Sequence, residues 1–152
     1  MSEIMKAKII IIKEKEIDID VREITLLSVE EYEAYRENIK SIANWWWLRS
    51  LGNTGHSLFY IFENGIVRDD GGVYNSYGSV RPALILNTSS LQIKDKFELG
   101  GKLWTVIGEE IALSDEEFCK MAFRKDWKAK DANNYAASDI KKYLDNWLVS
   151  IL

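Results

Sequence analysis

The chain of 152 residues carries 20 lysines and arginines against 24 aspartates and glutamates, which gives a formal net charge of −4 at pH 7. With 47% hydrophobic residues, it is expected to fold as one domain over residues 1–152. The acidic total argues against recruitment of nucleic acid by bulk charge, and the single Cys119 excludes an internal disulfide bond. No apolar run is long enough to predict a membrane span.

The first part of the chain predicts short strands followed by a helix. Residues 8–13 hold four consecutive isoleucines, which is typical of a strand covered on both faces. Residues 17–21 alternate apolar and acidic side chains, and residues 24–27 predict a further short strand. Ser28 and Glu31 form a capping box that begins a helix. The predicted apolar stripe of this helix is Val29, Tyr32, Tyr35, Ile39 and Ile42.

Three adjacent tryptophans begin the most distinctive stretch of the sequence. Residues 45–50 predict a central strand, which a glycine-containing turn at residues 52–55 ends. Strand alternation places Trp45 and Trp47 on one face and Trp46 on the other, so at least one face is core.

Further hairpins are predicted after this strand. Residues 57–62 and 66–68 flank Asn64-Gly65, the strongest short-range hairpin signal. Residues 69–72 predict another turn. Residues 80–86 predict a strand whose proline requires an edge position or an amide that points away from a neighbour.

The C-terminal part predicts one more hairpin and two helices. Residues 97–99 and 102–107 flank two glycines, and residues 111–113 predict a strand. A second capping box at residues 114–117 predicts a helix that turns Phe118, Met121 and Ala122 inward, and Ser138 begins a last helix. Short hairpin-connected strands and about three helices predict an α+β fold with antiparallel sheet.

Two motifs in the first half carry a family resemblance. They are Trp46-Trp47-Leu48-Arg49-Ser50 and Val80-Arg81-Pro82-Ala83-Leu84. They resemble the paired "WWLRSPG … GVRPAL" motifs of an uncharacterised domain family common in Gram-positive bacteria and their phages. Leu51 replaces the usual proline, and Ser79 replaces the usual glycine. Segments at residues 24–28, 101–107, 112–114 and 138–145 extend the resemblance over residues 24–148.

The order of the two halves differs from the family pattern. The half that resembles the family's usual first part lies here at residues 97–152, after the motif half at residues 24–86. The resemblance therefore implies circular permutation, with residues 87–96 as the connector. It also allows halves to be exchanged between subunits of a homo-oligomer. The motif layout is similar to C-type-lectin-like domains, which implies a lectin-like framework holding a long binding loop.

Signals for an enzyme are weak. His56 is the only histidine and lies near Asn53 and Ser57 in a turn. A solvated side chain is a simpler interpretation of His56 than a catalytic Ser-His pair. Formylglycine-generating enzymes share the lectin-like fold but need paired cysteines. The resemblance therefore does not imply their activity for this chain. Asp69, Asp70 and Asn75 could gather on calcium, but turn formation explains them more simply. We predict no catalytic residue, no cofactor and no metal.

Tyrosines and adaptable polar residues between the two motifs predict a binding surface, because this mixture is typical of paratopes. The predicted ligand-binding residues are Asn53, His56, Tyr60, Arg68, Asp70, Tyr74, Asn75 and Tyr77. The predicted framework residues are Trp46, Trp47, Arg49, Arg81, Trp104 and Trp147. A basic run from Lys120 to Lys142 predicts a solvated face, with weak attraction for an acidic or phosphate-rich partner as the alternative.

These signals together predict a non-enzymatic domain that binds a protein. We expect it to be encoded by a phage or mobile element and to act in the host cytoplasm, with inhibition of a host defence enzyme as one role. The alternative is a virion-associated lectin-like module that binds a carbohydrate or receptor by stacking Tyr60, Tyr74 or Tyr77 on sugar rings. A third hypothesis is an enzyme that uses Asp69 or Asp70 as a general base.

Overall fold

The computed structural model describes residues 3–9, 15–87 and 90–151. Within these ranges, 11 strands form a closed six-stranded barrel and a five-stranded open sheet, and two α-helices accompany them. In chain order the elements are β1 (Glu3–Ile9), β2 (Lys15–Thr25), α1 (Val29–Tyr35), β3 (Trp46–Leu51), β4 (Ser57–Ile61), β5 (Val67–Gly72), β6 (Ser79–Val80), β7 (Ala83–Leu86), β8 (Lys96–Leu99), β9 (Lys102–Gly108), β10 (Ile111–Ser114), β11 (Cys119–Lys120) and α2 (Asp139–Ser150). The predicted α+β class is confirmed, with two helices in the described residues instead of about three.

The barrel has the strand order β1-β2-β7-β10-β9-β8, and each neighbouring pair is antiparallel. β1 closes the barrel by pairing with β2 along its length and with β8 at Lys8 and Ile9. The strand predicted at residues 8–13 falls mostly on residues 10–13, which lie outside the described residues. The two strands predicted at 17–21 and 24–27 are a single strand, β2, which ends at Thr25.

The open sheet has the order β11-β6-β3-β4-β5, so β3 is central as predicted. β3 pairs antiparallel with β4 and parallel with β6, where Trp46 lies opposite Ser79. The motif at residues 46–50 and the motif at residues 80–84 are therefore brought together by a short parallel bridge. The backbone N–H of Ser79 donates to the Trp45 carbonyl at 3.0 Å, which is one of the bonds of this bridge.

A two-stranded ribbon passes from the barrel into the open sheet. In the barrel β7 pairs with β10, and in the open sheet their continuations β6 and β11 pair with each other. Pro82 lies at the crossing, where its carbonyl accepts from Ser114 N–H at 2.9 Å. The single strand predicted at residues 80–86 is therefore wrong: it is two strands in different sheets. Proline has no N–H, so it cannot continue a ladder through this point.

The helix α1 begins as predicted. Ser28 Oγ accepts from Glu31 N–H at 3.1 Å, and Glu31 Oε1 accepts from Ser28 N–H at 2.8 Å. The helix is shorter than predicted, because it tightens into a 3₁₀ turn at Arg36–Asn38 and then becomes extended. Ile39 and Ile42 consequently pack against the smaller apolar cluster from the connection to β3 and not from the helix.

The helix predicted from residues 114–117 is wrong. Ser114 ends β10, and the chain bends at residues 115 and 116 before it enters β11. The side chains that suggested a capping box are bonded elsewhere: Asp115 pairs with Lys96 at 2.5 Å, and Glu117 accepts from Asn44 Nδ2 at 2.6 Å. These long-range contacts use the carboxylates that a helix start would need. The second helix predicted in this part of the chain is present, because Ser138 caps α2 by accepting from Lys141 N–H at 3.0 Å.

Local turn signals have mixed outcomes. The hairpin at Asn64-Gly65 is confirmed, with φ values of 60° and 79°, and the hairpin at Gly100-Gly101 is confirmed with values of 62° and 76°. The turn predicted at residues 69–72 is wrong, because these residues lie in β5. Gly71 is required there for close packing: a Cβ would lie 2.8 Å from Tyr60 Cδ1.

Two apolar clusters form the core. The larger one fills the barrel and continues under α2 and onto the Trp47 face of the open sheet. The smaller one lies between α1, the opposite face of the open sheet and the outer side of the barrel, and includes Tyr32, Trp46 and Ile107. No helix in the described ranges is both long and apolar enough to cross a membrane.

Candidate functional site

The tryptophans of β3 lie on opposite faces of the open sheet, as strand alternation predicts. Trp47 is fully buried, lies 5.9 Å from Phe123 and donates from Nε1 to the Met121 carbonyl at 3.0 Å. Trp46 is buried on the other face, where its ring meets the edge of Tyr32 at 5.7 Å. In the barrel, Trp104 is buried, with Trp147 of α2 at 6.0 Å. These side chains hold the layers together and leave little ring surface for a ligand.

The two motif arginines bind backbone carbonyls. Arg49 Nη1 donates to the Leu26 carbonyl and to Glu31 Oε1, both at 2.6 Å. Burial opposes ionisation of Glu31, but the bonds from Arg49 and Ser28 outweigh it and hold its pKa below the usual range. Arg81 donates from Nε to the Ser114 carbonyl at 2.7 Å and lies over the Trp46 ring at 4.9 Å. Arg49 therefore joins α1 to β3, and Arg81 joins the two strands of the ribbon at their crossing.

One group of predicted site residues lies at the turn end of the β4–β5 hairpin. Tyr60 donates from Oη to Asp70 Oδ1 at 3.0 Å, and its ring lies 4.8 Å from Trp45. Burial, and then the bond to Asp70, raise the pKa of Tyr60. Arg68 is opposite Tyr60 in the ladder and stacks over Phe62 at 5.2 Å. Each polar group here already has an intramolecular contact.

A second group lies at the other end of this hairpin, where Ser57 pairs with Gly72. His56 and Tyr74 both contact Trp127, with ring centroids 6.0 and 6.1 Å away. Tyr74 is 61% exposed and Trp127 is 44% exposed. We call His56, Tyr74 and Trp127 the aromatic surface.

The aromatic surface is held in place by bonds from a distant segment. Asn133 Nδ2 donates to the carbonyls of Thr54 and Ser57 at 3.2 and 3.3 Å. The Arg124 N–H donates to the Val73 carbonyl at 2.9 Å. The segment from residue 124 to 135 therefore lies against the two loops that carry His56 and Tyr74, and Trp127 is positioned between them.

The remaining predicted residues shape these loops. Asn53 Oδ1 accepts from Ser57 Oγ at 3.1 Å, and Asn53 N–H donates to the Asp69 carbonyl at 2.9 Å. Asn75 Oδ1 accepts from Tyr77 N–H at 2.9 Å, and Tyr77 is 74% exposed. The eight predicted residues thus form two groups at opposite ends of the hairpin, and not one continuous site.

The polar chemistry near His56 does not resemble a nucleophile site. Ser57 Oγ bonds Asn53 and Thr54, while the His56 ring packs against Trp127. Among residues 3–9, 15–87 and 90–151, no three His, Cys, Asp or Glu side chains are grouped to hold a metal ion. Asp70 bonds Tyr60, and Asn75 bonds the backbone of Tyr77.

The basic run from Lys120 to Lys142 is partly neutralised within the molecule. Arg124 pairs with Asp131 at 2.9 Å, and Lys141 pairs with Asp145 at 2.9 Å and with Glu23 at 3.8 Å. Lys120, Lys125, Lys128, Lys130 and Lys142 are exposed.

Sequence reasoning did not identify Trp127 as a site residue. Its signal was a tryptophan among charged residues in a segment without periodicity, where no core position explains a large aromatic side chain. Its two ring partners are far away along the chain, so proximity could not be inferred from spacing.

The fold and this surface define a class: an α+β protein with an antiparallel barrel and an open sheet whose loops present aromatic side chains. The chain belongs to the family described as "Domain of unknown function (DUF6273)", whose family model matches residues 11–88. The match contains both motifs, and β8 to α2 lie beyond it. No curated protein and no solved structure matches the chain.

Proposed function

We propose that this protein is a non-enzymatic domain that binds another protein through the aromatic surface. The observation that carries the proposal is the pair Tyr74 and Trp127, which are 61% and 44% exposed although both rings are held by contacts. Exposed aromatic rings in fixed positions are the residues that dominate protein interfaces, because they bury much area and lose little entropy on binding.

The surroundings of the aromatic surface suit a protein partner. Lys128 lies over Trp127 at 5.4 Å, and the polar side chains of Asn75 and Asn133 lie on the adjoining loops. Apolar centres with polar rims are the usual anatomy of a specific interface. Tyr77 adds a further exposed ring in the same loop as Tyr74.

We place this binding activity in a phage or mobile element, where the partner is a host enzyme and binding inhibits it. The support is the motif resemblance and the small acidic chain, with its net charge of −4. We further propose that the open sheet is a lectin-like framework and that the chain is circularly permuted at residues 87–96. The support is that adjacent strands β3 and β6 bracket the loops that carry Tyr74 and His56.

The test is a pulldown from host lysate with the wild-type chain and two alanine variants. Trp127→Ala is expected to weaken capture of the partner about 30-fold, since a central aromatic contact contributes about 2 kcal/mol. Leu103→Ala is the matched control, because Leu103 is 43% exposed but lies on the barrel. It is expected to leave capture unchanged.

Three other results would contradict the proposal. Saturable binding to a glycan array that Tyr74→Ala abolishes would assign the surface to a carbohydrate. Turnover of a substrate that Asp70→Asn abolishes would make the protein an enzyme. Capture that survives Trp127→Ala would place the interface elsewhere.

A further inference from the structure

We propose that a cleft between the barrel and the α1–β3 connection binds a small phosphate monoester, with Arg81 as its central contact. The cleft has a volume of about 360 Å³, within the range of small-molecule sites. Its walls come from the connection after α1, from β9 and β10, and from the segment that leads into β8. None of the residues of the aromatic surface lines it, so this site is independent of the proposed protein interface.

The guanidinium of Arg81 is the feature that points to a ligand. Arg81 is 1% exposed, yet it lines the cleft. Its Nε donates to the Ser114 carbonyl at 2.7 Å and Nη2 reaches the Asp115 carbonyl at 3.4 Å, whereas Nη1 has no hydrogen-bond partner in the described part of the chain. A buried donor without an acceptor is unfavourable, and native proteins seldom keep one without a reason.

The charge of Arg81 is also without a carboxylate partner among the described residues. Burial lowers the pKa of Arg81 to about 10, so the group stays protonated at neutral pH. The nearest candidate counter-ion, the Asp115 carboxylate, instead bonds Lys96 at 2.5 Å and the hydroxyl of Thr105. The Trp46 ring and the Asp115 charge stabilise the Arg81 cation through space, but a buried cation with no carboxylate bonded to it favours an anion supplied from outside.

The charged side chains that line the cleft indicate how much negative charge its ligand should carry. Four cations line it, against the two carboxylates of Glu37 and Asp115, which leaves a net charge of +2. The cations are Lys40, Arg81, Lys94 and Lys96. A phosphate monoester carries a charge of about −1.5 to −2 at pH 7 and offers three acceptor oxygens, which complements this set.

The rest of the lining indicates an organic molecule and not phosphate alone. Ile39, Ile107 and Leu113 form an apolar wall beside the cations. The exposed side chains of Glu37 and Lys40 lie on the connection after α1, and long surface side chains can move to admit a ligand. The expected ligand therefore places its phosphate at Arg81 and a compact apolar group against the isoleucines.

The test is titration of the full chain with phenyl phosphate, and with inorganic phosphate as a second probe, at constant ionic strength. We expect saturable binding of phenyl phosphate by calorimetry, at least tenfold tighter than inorganic phosphate. Lys40→Glu is expected to weaken the binding of phenyl phosphate at least tenfold. Lys142→Glu makes the same charge change on the exposed surface of α2 and is expected to change affinity less than twofold.

Arg81→Met removes the central contact and is expected to abolish binding. Because Arg81 also joins the ribbon strands, the fold of the Arg81→Met variant is checked by circular dichroism. If that variant unfolds, the comparison of Lys40→Glu with Lys142→Glu decides whether the cleft binds phenyl phosphate. No saturable binding of phenyl phosphate would overturn the proposal. Equal losses in Lys40→Glu and Lys142→Glu would overturn it as well, because they would show bulk charge attraction and not a site.

Discussion

The carboxylate of Glu31 connects three parts of the structure. It caps the first turn of α1 through the Ser28 N–H, and it pairs with Arg49 of β3 at 2.6 Å. Arg49 in turn holds the carbonyl of Leu26, where the chain leaves β2. Both side chains are less than one-third exposed, so this pair is less screened than a surface ion pair.

This contact predicts a pH dependence of stability. The pKa of Glu31 in the folded protein lies below its ordinary value of 4.5, so its contribution is present above about pH 5 and is lost as the pH falls through the folded pKa. Glu31→Gln keeps an acceptor for Ser28 but loses the charge. We expect the free energy of unfolding at pH 7 to fall by about 1 kcal/mol, measured by urea denaturation.

The same comparison at pH 3 and pH 7 supplies the control. The difference between the wild type and Glu31→Gln should shrink at pH 3, because this pH lies below the ordinary pKa of 4.5, where protonation of the carboxylate in the unfolded chain opposes the ion pair. Glu33→Gln removes the charge from an exposed pair with Arg36 and should cost under about 0.5 kcal/mol. A Glu31→Gln cost that is unchanged at pH 3 would contradict the electrostatic explanation.

At the scale of elements, the β4–β5 hairpin depends on its turn. Asn64 and Gly65 both have positive φ, as the twist of a tight hairpin requires. At Gly65, φ is 79°, and an added Cβ would lie 2.9 Å from Tyr32 Oη and 3.2 Å from Arg36 Nη2. The turn is therefore constrained by its backbone and by its contact with α1.

Gly65→Ala is expected to lower the free energy of unfolding by about 1–2 kcal/mol, measured by thermal or urea denaturation. Gly55→Ala is the matched control, because an added Cβ at Gly55 meets nothing within 4 Å. That variant should stay within about 0.5 kcal/mol of the wild type. Equal losses at both positions would show that the constraint at Gly65 is not specific.

Elements whose signals are local could be predicted from the sequence. The Asn64-Gly65 turn and the caps at Ser28 and Ser138 are determined by residues within three positions of each other. The capping box predicted at residues 114–117 was wrong because Lys96, Thr105, Asn44 and Ser79 bind its carboxylates from far along the chain. The candidate surface was predicted only in part for the same reason, since Trp127 meets His56 and Tyr74 through the tertiary fold.

At the scale of the whole molecule, the two halves of the chain complete each other. The family match ends at residue 88, but β7 within it pairs with β10, and β6 pairs with β11. Trp47 in the first half donates to the Met121 carbonyl in the second. The matched half therefore has unpaired strand edges and an uncovered tryptophan when it is separated from the rest.

Residues 1–88 expressed alone are expected to lack cooperative unfolding and to give poorly dispersed amide NMR signals. Residues 89–152 supplied in trans should restore the dispersed spectrum. A chain in which residues 89–152 precede residues 1–88 through a flexible linker should also fold, because the strand pairs are kept while the order changes. A dispersed spectrum from residues 1–88 alone would show that the first half folds by itself.

The ribbon that passes from the barrel into the open sheet has an energetic consequence. The ribbon contributes β7 and β10 to the barrel and β6 and β11 to the open sheet. Opening either sheet therefore breaks bonds at the Pro82 crossing that also support the other sheet. The two sheets are thus expected to open as one cooperative unit. A ligand bound only by the closed form would raise the free energy of that shared opening by RT ln(1 + [L]/Kd). Occupancy at Arg81, on the crossing, would thereby protect the amides of the open sheet as far as its edge strand β5.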